Sequence, residues 1–210
     1  MIVDLRHEQT KSGRESCGKV VRGALLMRDP KAVDTIVGHQ MGVFMGVAQY
    51  MVQAAKGDRA LAKHRRALKV HAHVSAFIDG VFVPASEPMA YLYHGNGSNS
   101  YSVGVETEGL YNGIPGGQHD EPSDLVIEAT REACSWLVEE CARVGSTLRY
   151  YEAHRQHAAS RRSDPGHRLW QAVYVEHCER VLGLKPRPDV TTRDGRPIPR
   201  MWDQRQTGGY

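Results

Sequence analysis

A histidine and an aspartate close together in the sequence are the residues of this chain best suited to chemistry. His154 and Asp164 lie ten positions apart, separated by a basic, polar stretch that Pro165-Gly166 closes with a turn signal. A loop of this length can fold an imidazole and a carboxylate back onto one point. The pair is a partial ligand set for zinc, which with a third protein ligand keeps a fourth coordination position open for water.

His39 is the candidate third ligand. It follows the β-branched stretch 33–38, which predicts a buried strand that ends at the histidine. The stretch 148–153 predicts another strand, which delivers His154 in the same way. Strand ends are where a sheet brings together residues that are far apart in sequence. We therefore expect His39, His154 and Asp164 to bind Zn²⁺, which would activate a water and polarise a carbonyl.

A site of this kind also needs a proton acceptor and a group that stabilises an oxyanion. Residues 101–108 alternate as a strand does, with the valines on one face and Glu106 on the other. Glu106 is therefore the candidate general base. Arg162, two residues before Asp164, is the candidate for the oxyanion. The combination fits hydrolysis of an amide.

Length and composition describe one ordinary globular domain. The chain has 210 residues, of which 40% are hydrophobic and 24% are charged. A net charge of +3 is too small to argue for a nucleic-acid partner, although it favours approach to an anionic polymer such as a cell wall. No membrane span and no secretory signal are recognisable in the sequence. We therefore expect a protein that is cytoplasmic as synthesised and reaches a cell wall only after release or delivery.

The four cysteines indicate neither a zinc ribbon nor a redox motif. Cys17, Cys134, Cys141 and Cys178 form no CxxC pair. Cys134 and Cys141 are seven positions apart in a helical stretch, so both should lie on one buried stripe. We favour free thiols in the core over a disulfide.

The other patterns predict strands interspersed with helices. The predicted elements are a hairpin around Asp79-Gly80, one or two helices over 43–68 that are broken near Gly57-Asp58, a helix from Ser123 to Gly145, and a final helix around 170–181. In the 43–68 segment, Phe44 and Tyr50 are expected in the core. This order favours an α/β (α+β) fold with a central mixed sheet flanked by helices.

We expect one domain over residues 1–184, with residues 1–30 as a polar lead-in that wraps it. Residues 185–210 are rich in Pro, Arg and Gly and carry little apolar content. They predict a tail without helix or strand, ordered only if it drapes over the domain.

Five short motifs follow one another along the chain. They are Ile36-Val37-Gly38-His39, His73 before Asp79-Gly80, Tyr93-His94-Gly95-Asn96, Asn99 with Ser102 to Gly109, and His154 with Arg162 to Gly166. In these motifs and their order the chain resembles the zinc-dependent N-acetylmuramoyl-L-alanine amidases of the type 2 class. That family shares its fold with peptidoglycan recognition proteins and with the amidase lysozymes of some phages.

The resemblance implies a function and roles for the matching residues. It implies cleavage between N-acetylmuramic acid and L-alanine in peptidoglycan or its fragments, with zinc on the three ligands named above. Glu106 matches the general base of the cell-wall-recycling branch, whereas other branches use a tyrosine where this chain has Ala72. Tyr93, His94 and Asn99 fall in motifs expected to contact the substrate.

The chain departs from the family pattern at several places. Arg162 replaces a lysine and presents a planar fork in place of a point charge. Tyr93 replaces a tryptophan at the groove wall. The 43–68 segment and the C-terminal tail match no motif.

Each candidate also has an ordinary structural reading. Asp164 could cap the following helix, Glu106 could pair with an arginine, and Arg162 could be solvated. A structural role for His94 is nearly as well supported as one in the groove. His73 is expected to be a buried, hydrogen-bonded histidine that supports the site.

Two other functions compete with the amidase. One is a peptidoglycan-binding module that keeps the fold but does not hydrolyse, and the other is a zinc amidase for a different amide. For the muramoyl amidase and for the binding module, the partner is peptidoglycan or a muropeptide. None of the three hypotheses requires nucleic acid or a membrane. The sequence leaves open a phage lysin, a recycling enzyme or a delivered toxin, and it leaves open the oligomeric state.

Overall fold

A computed structural model describes residues 1–11, 17–111, 121–188, 190–192 and 194–203. Its centre is a six-stranded mixed sheet, accompanied by a separate two-stranded ribbon. The strands are β1 (Val20–Val21), β2 (Ala24–Leu25), β3 (Thr35–Gln40), β4 (Val74–Ala76), β5 (Phe82–Pro84), β6 (Ser102–Thr107), β7 (Tyr150–Ala153) and β8 (Lys185–Pro186). The predicted fold class is confirmed.

The sheet order is β5-β4-β6-β3-β7-β8, so β3 lies near the middle. Every neighbouring pair is parallel except β4 and β5, which form the antiparallel hairpin predicted around Asp79-Gly80. All six residues of β3 are buried, as its β-branched composition predicts. The register pairs His39 of β3 with Glu106 of β6 and Gly38 with Ala153 of β7. His39, Glu106 and His154 are therefore carried to one edge of the sheet.

The long helix α3 (Asp124–Arg143) packs its apolar stripe onto the sheet. Ser123 caps it by accepting a hydrogen bond from the Val126 amide at 3.3 Å, and the chain leaves it through Gly145, whose φ is +87°. The predicted Ser123 and Gly145 boundaries are confirmed. All four cysteines are buried thiols that form no disulfide within the described residues, as expected.

A second helical element follows the Asp164 loop. The short α4 (His167–Leu169) continues into a π-helical stretch, Trp170–Glu179, which packs against α3. The Trp170 and Tyr174 rings stack with centroids 5.4 Å apart. Gly38 makes room for this helix, because a Cβ there would lie 2.3 Å from the Tyr174 ring. Since side chains alternate along a strand, His39 points to the other face of the sheet.

The 43–68 segment forms two short helices, α1 (Gln49–Ala54) and α2 (Arg59–His64), broken near Gly57-Asp58 as predicted. The expectation that Phe44 and Tyr50 lie in the core is wrong, because they are 47% and 69% exposed. Residues 43–48 are not helical, and α1 contains no buried residue. The helical spacing of Phe44 and Tyr50 therefore belongs to a segment at the protein surface and not to a core helix.

Both ends of the chain pack on the sheet. The lead-in runs along β5, where the amides of Val3 and Leu5 donate to Phe82 O and Pro84 O at 3.1 and 2.9 Å. At the other end, the prediction of a tail without strand structure is wrong at Lys185–Pro186, which pairs in parallel with β7. A two-residue edge strand containing proline is too short to leave an alternating pattern.

In the described part of the tail beyond β8, two isolated apolar residues reach the core. Ile198 and Trp202 are each 1% exposed and belong to the main core cluster. Single anchors in a polar segment have no periodicity, so the sequence pattern could not indicate them. Among the described residues, no helix has the length and apolar character needed to cross a bilayer.

We predict that Trp202→Ala lowers the free energy of unfolding by about 3–5 kcal/mol, because it empties a buried aromatic site. Met201→Ala is the matched control, since Met201 is 52% exposed, and it should change stability by less than about 0.5 kcal/mol. Urea denaturation of both variants measures the difference. Equal midpoints for the two variants would show that the tail is not part of the core.

Candidate metal centre and substrate pocket

Three ligand-type side chains meet at the edge of the sheet. His39 is the fifth residue of β3, His154 directly follows β7, and Asp164 lies at the end of the next loop. All three are buried, and one donor atom from each lies within 4.8 Å of the others. His39 Nδ1 is 3.0 Å from His154 Nδ1, which is 3.1 Å from Asp164 Oδ2. The structure thus brings together the three predicted ligands.

This donor set fits a zinc ion. Two imidazole nitrogens and one carboxylate oxygen are ligands that zinc takes in three-residue sites. Burial, followed by the charges of His154 and His94, lowers the pKa of His39 well below its ordinary value. A neutral imidazole offers the lone pair that a metal requires. Asp164 is held from behind, because its Oδ1 accepts a hydrogen bond from the Gln40 amide at 2.8 Å.

His94 supports His39 from the adjacent loop. Its Nδ1 lies 3.2 Å from His39 Nε2, and its Nε2 lies 3.3 Å from Ser102 O. Burial and the charge of Arg28 lower the pKa of His94 to about 3, so the ring is neutral. Gly104 allows this packing, because a Cβ there would lie 2.7 Å from His94 Nδ1.

His73 lies one layer further from the ligands. Its Nδ1 accepts a hydrogen bond from the Gly104 amide at 3.0 Å, and its Nε2 is 3.0 Å from Ala90 O. The side chain is fully buried. The prediction of a buried, hydrogen-bonded histidine is confirmed.

Glu106 stands beside the ligands on β6, on the face that the strand alternation predicted. Its Oε2 atom is shielded from solvent and has no hydrogen-bond partner in the described part of the chain. Burial, and then the negative charge of Asp164, raise the pKa of Glu106 well above its ordinary value, while the guanidinium of Arg161 opposes the shift. A carboxyl with a raised pKa can both take up and release a proton near neutral pH.

A cavity of about 310 Å³ opens onto these groups. Its polar lining residues include His94, Glu106, His154 and Arg161. Its apolar lining residues include Met41, Met45 and Val70. The cavity is large enough to take part of a peptide or sugar chain.

The other predicted site residues take different places. Tyr93 lines the cavity and is 49% exposed. Asn99 is buried, and its Oδ1 accepts a hydrogen bond from the Gly95 amide at 2.7 Å, so it shapes the loop. Arg161 and Arg162 are both exposed, but only Arg161 is among the residues that line the cavity.

Sequence reasoning did not single out Arg161, Met41, Met45 or Asn96 as pocket residues. The Arg161-Arg162 pair offered two equivalent cations, and only the loop conformation distinguishes them. Met41 and Met45 belong to a stretch without a matching motif, so no pattern indicated them. Asn96 lies two residues after the predicted site histidine His94, in the motif Tyr93-His94-Gly95-Asn96, and that motif was the available signal.

Comparisons with known proteins agree with this geometry. The N-acetylmuramoyl-L-alanine amidase family matches residues 24–167, which is more than half of the chain. No curated protein matches the chain.

Solved structures with a similar fold come from bacteria and insects. The N-acetylmuramoyl-L-alanine amidase LysC from Clostridium intestinale URNW superposes with a TM-score of 0.51 at 14% identity, covering 88% of this chain and 99% of its own. Drosophila peptidoglycan recognition protein SD gives 0.50 at 17% identity, covering 85% and 94%. Drosophila PGRP-LB gives 0.50 at 14% identity, covering 90% and 99%. At these identities the likeness shows the fold alone.

The ligand-type residues His39, His154 and Asp164 all fall inside the matched range. The sheet, the helices and the order of the motifs agree with that match. The chain belongs to the type 2 N-acetylmuramoyl-L-alanine amidase family.

Proposed function

We propose that the protein is a zinc-dependent amidase that cleaves the bond between N-acetylmuramic acid and L-alanine in peptidoglycan or its fragments. The observation that carries the proposal is the convergence of His39, His154 and Asp164, within 4.8 Å of one another, next to a cavity that His154 and Glu106 line. Family membership supports the choice of bond. The names of the similar structures, an amidase and peptidoglycan recognition proteins, support a peptidoglycan-type ligand.

His39, His154 and Asp164 would hold the zinc, which when bound supplies a Lewis acid for the scissile carbonyl and lowers the pKa of water. Glu106 would move the proton. Its Oε2 takes the proton of the attacking water and returns it to the leaving amide nitrogen. The raised pKa of Glu106 supports both halves of this transfer.

Arg161 is the cation that we assign to the developing oxyanion or to a substrate carboxylate. It lines the cavity, and its charge acts on both Glu106 and His39. Arg162, predicted for the role from its position in the motif, is exposed beside it. A cation at the wall of the cavity lowers the barrier by stabilising charge that develops in the transition state.

The remaining predicted residues would shape the substrate groove. Tyr93 presents an aromatic face at the wall, suited to the apolar face of a sugar ring or to the stem peptide. His94 holds His39, and Asn99 fixes the loop that carries both Tyr93 and His94. Met41 and Met45 contribute apolar surface to the cavity, and their flexible side chains can adapt to different substrate side chains.

A recognition module without hydrolysis is the alternative. The neighbouring peptidoglycan recognition proteins show that this fold occurs outside proteins named as amidases. The complete ligand set together with Glu106 favours the enzyme, because binding alone requires neither a metal nor a buried carboxyl.

The first prediction concerns the proton shuttle. Glu106→Gln keeps size and hydrogen-bonding capacity but removes the base, so kcat should fall by about 10²–10⁴-fold. The assay follows new L-alanine amino termini released from purified muropeptides. Zinc content, measured in the same preparation, should remain at the wild-type value. Full activity in Glu106→Gln would remove this residue from the mechanism.

The second prediction concerns the metal. Purified wild-type protein should contain stoichiometric zinc and lose its activity to a chelator, with recovery on adding zinc back. Asp164→Asn should lose most of the zinc, since it replaces a charged ligand by a neutral one. A wild-type protein that binds sacculi, shows no turnover with zinc present, and binds equally well as Asp164→Asn would favour the recognition module.

The third prediction separates the two arginines. Arg161→Met should lower kcat/KM by about 10²-fold, because it removes the cation that lines the cavity. Arg162→Met removes the same charge from a neighbouring residue that is not among the cavity-lining residues, and it should stay within about threefold of wild type. The reverse ranking would return the role to Arg162.

A further inference from the structure

The C-terminal segment lies directly on the turn that carries His154. This segment, residues 190–192 and 194–203, is called the C-terminal clamp below. The amide of Thr192 donates to Gln156 O at 2.9 Å, and the amide of Arg196 donates to Arg155 O at 2.8 Å. Both acceptors belong to the 3₁₀ turn His154–Gln156. The clamp therefore satisfies backbone carbonyls one and two residues after the metal ligand.

Gly195 brings the clamp close to this turn. A Cβ at Gly195 would lie 1.8 Å from Gln156 O and 2.4 Å from its carbonyl carbon. Backbone packs directly on backbone here, so no side chain fits unless one of the two segments moves.

Arg155 connects the turn to the clamp through its side chain. It is 9% exposed, and its Nε donates to Pro197 O at 3.1 Å. Its guanidinium also lies over the Trp202 ring, 4.7 Å from the centroid. Trp202 is itself buried in the core, so Arg155 rests against a fixed surface.

Arg155 also contacts the far end of the ligand loop. Its amide donates to Asp164 O at 3.3 Å, and its guanidinium donates to Arg162 O. Arg155, at the start of the loop, thus donates hydrogen bonds both to the end of the loop and to the clamp. Burial and the charge of Arg196 lower the pKa of Arg155 to about 10, which still leaves it protonated at neutral pH.

We propose that Arg155 and the C-terminal clamp are positioning elements for the metal centre, which hold His154 and Asp164 at the spacing that one ion requires. The inference rests on the proposed zinc site and extends the functional unit beyond residue 184. The two ligands are 10 positions apart in the chain, and the loop between them would otherwise be free to separate them. Groups that orient metal ligands from outside typically contribute 10–100-fold to metal affinity.

The test compares variants that loosen the clamp with one that weakens the protein elsewhere. Arg155→Met removes the guanidinium but keeps much of the apolar stem, and Gly195→Ala pushes the clamp away through the backbone. Val83→Ala is the control, because Val83 is fully buried in the separate core cluster under β5. Each protein is measured for its thermal midpoint without metal and for its zinc dissociation constant by chelator competition. Hydrogen exchange of amides 155–164 is followed in the metal-free protein.

We expect Arg155→Met and Gly195→Ala to weaken zinc binding by about 10–100-fold and to speed exchange across amides 155–164. Val83→Ala should lower the thermal midpoint yet keep the dissociation constant within about twofold of wild type. If Arg155→Met is not recovered folded, Gly195→Ala decides the question.

The outcomes distinguish the two claims. A wild-type protein that binds zinc, with both clamp variants binding it as tightly, would overturn the positioning role alone. Affinity that falls in Val83→Ala as much as in the clamp variants would overturn it too, by showing a general effect of stability. A wild-type protein that binds no zinc would overturn the proposed function and this inference together.

Discussion

Everything at the site depends on the parallel pairing of β3 with β6 on one side and β7 on the other. The register sets His39 opposite Glu106 and ends β7 one residue before His154. A slip of one residue in either pair would turn the affected side chains to the opposite face of the sheet. A slip of β3 would also turn His39 to the face where Gly38 leaves room for the Tyr174 ring, so packing on both buried faces of the strand fixes this register.

The same geometry concentrates polar groups where burial is costly. His39, His94, Glu106 and Asp164 lie together in one desolvated region. His94 lies near Ser102 O and Asp164 accepts a hydrogen bond from the Gln40 amide, whereas Glu106 Oε2 has no hydrogen-bond partner among the described residues. Buried ionisable groups without compensation destabilise a fold, and such clusters mark functional sites. A bound cation would offset this cost by taking the lone pairs of the imidazoles and the charge of the carboxylate.

Two glycines in the central strands make the arrangement possible. Gly38 admits the Tyr174 ring on one face, and Gly104 admits the His94 ring on the other. Each lies within two residues of a site residue on its own strand. Because neither position carries a side chain, the His94 ring on one face and the helix that carries Tyr174 on the other both approach the central strands closely.

The sequence predicted the parts of the site that lie in strands and in the motif after β7. Hydrophobic alternation located Glu106, and β-branched composition located the strand before His39. Where packing between distant segments decides which side chain lies at the site, local sequence patterns could not predict it. Arg161 and Arg162 are chemically identical neighbours, and only the fold of their loop turns the first toward the cavity. The exposed Phe44 shows that apolar spacing alone does not indicate burial.

The tail shows the same limit from the other direction. Trp202 and Ile198 are isolated in a polar segment, yet both reach the core. Trp202 also lies under the guanidinium of Arg155, which is more than 40 positions away in the chain. A pattern read within a short window cannot contain such a contact, so composition predicted a tail that is ordered only if it drapes over the domain and could not identify the residues that hold it there.

Anomalous diffraction at the zinc absorption edge, from crystals of the purified protein grown with zinc, tests the central claim most directly. The account predicts one strong peak within bonding distance of a ring nitrogen of His39, a ring nitrogen of His154 and a carboxylate oxygen of Asp164. The absence of a peak among these three side chains, in crystals grown with zinc in excess over protein, would contradict it.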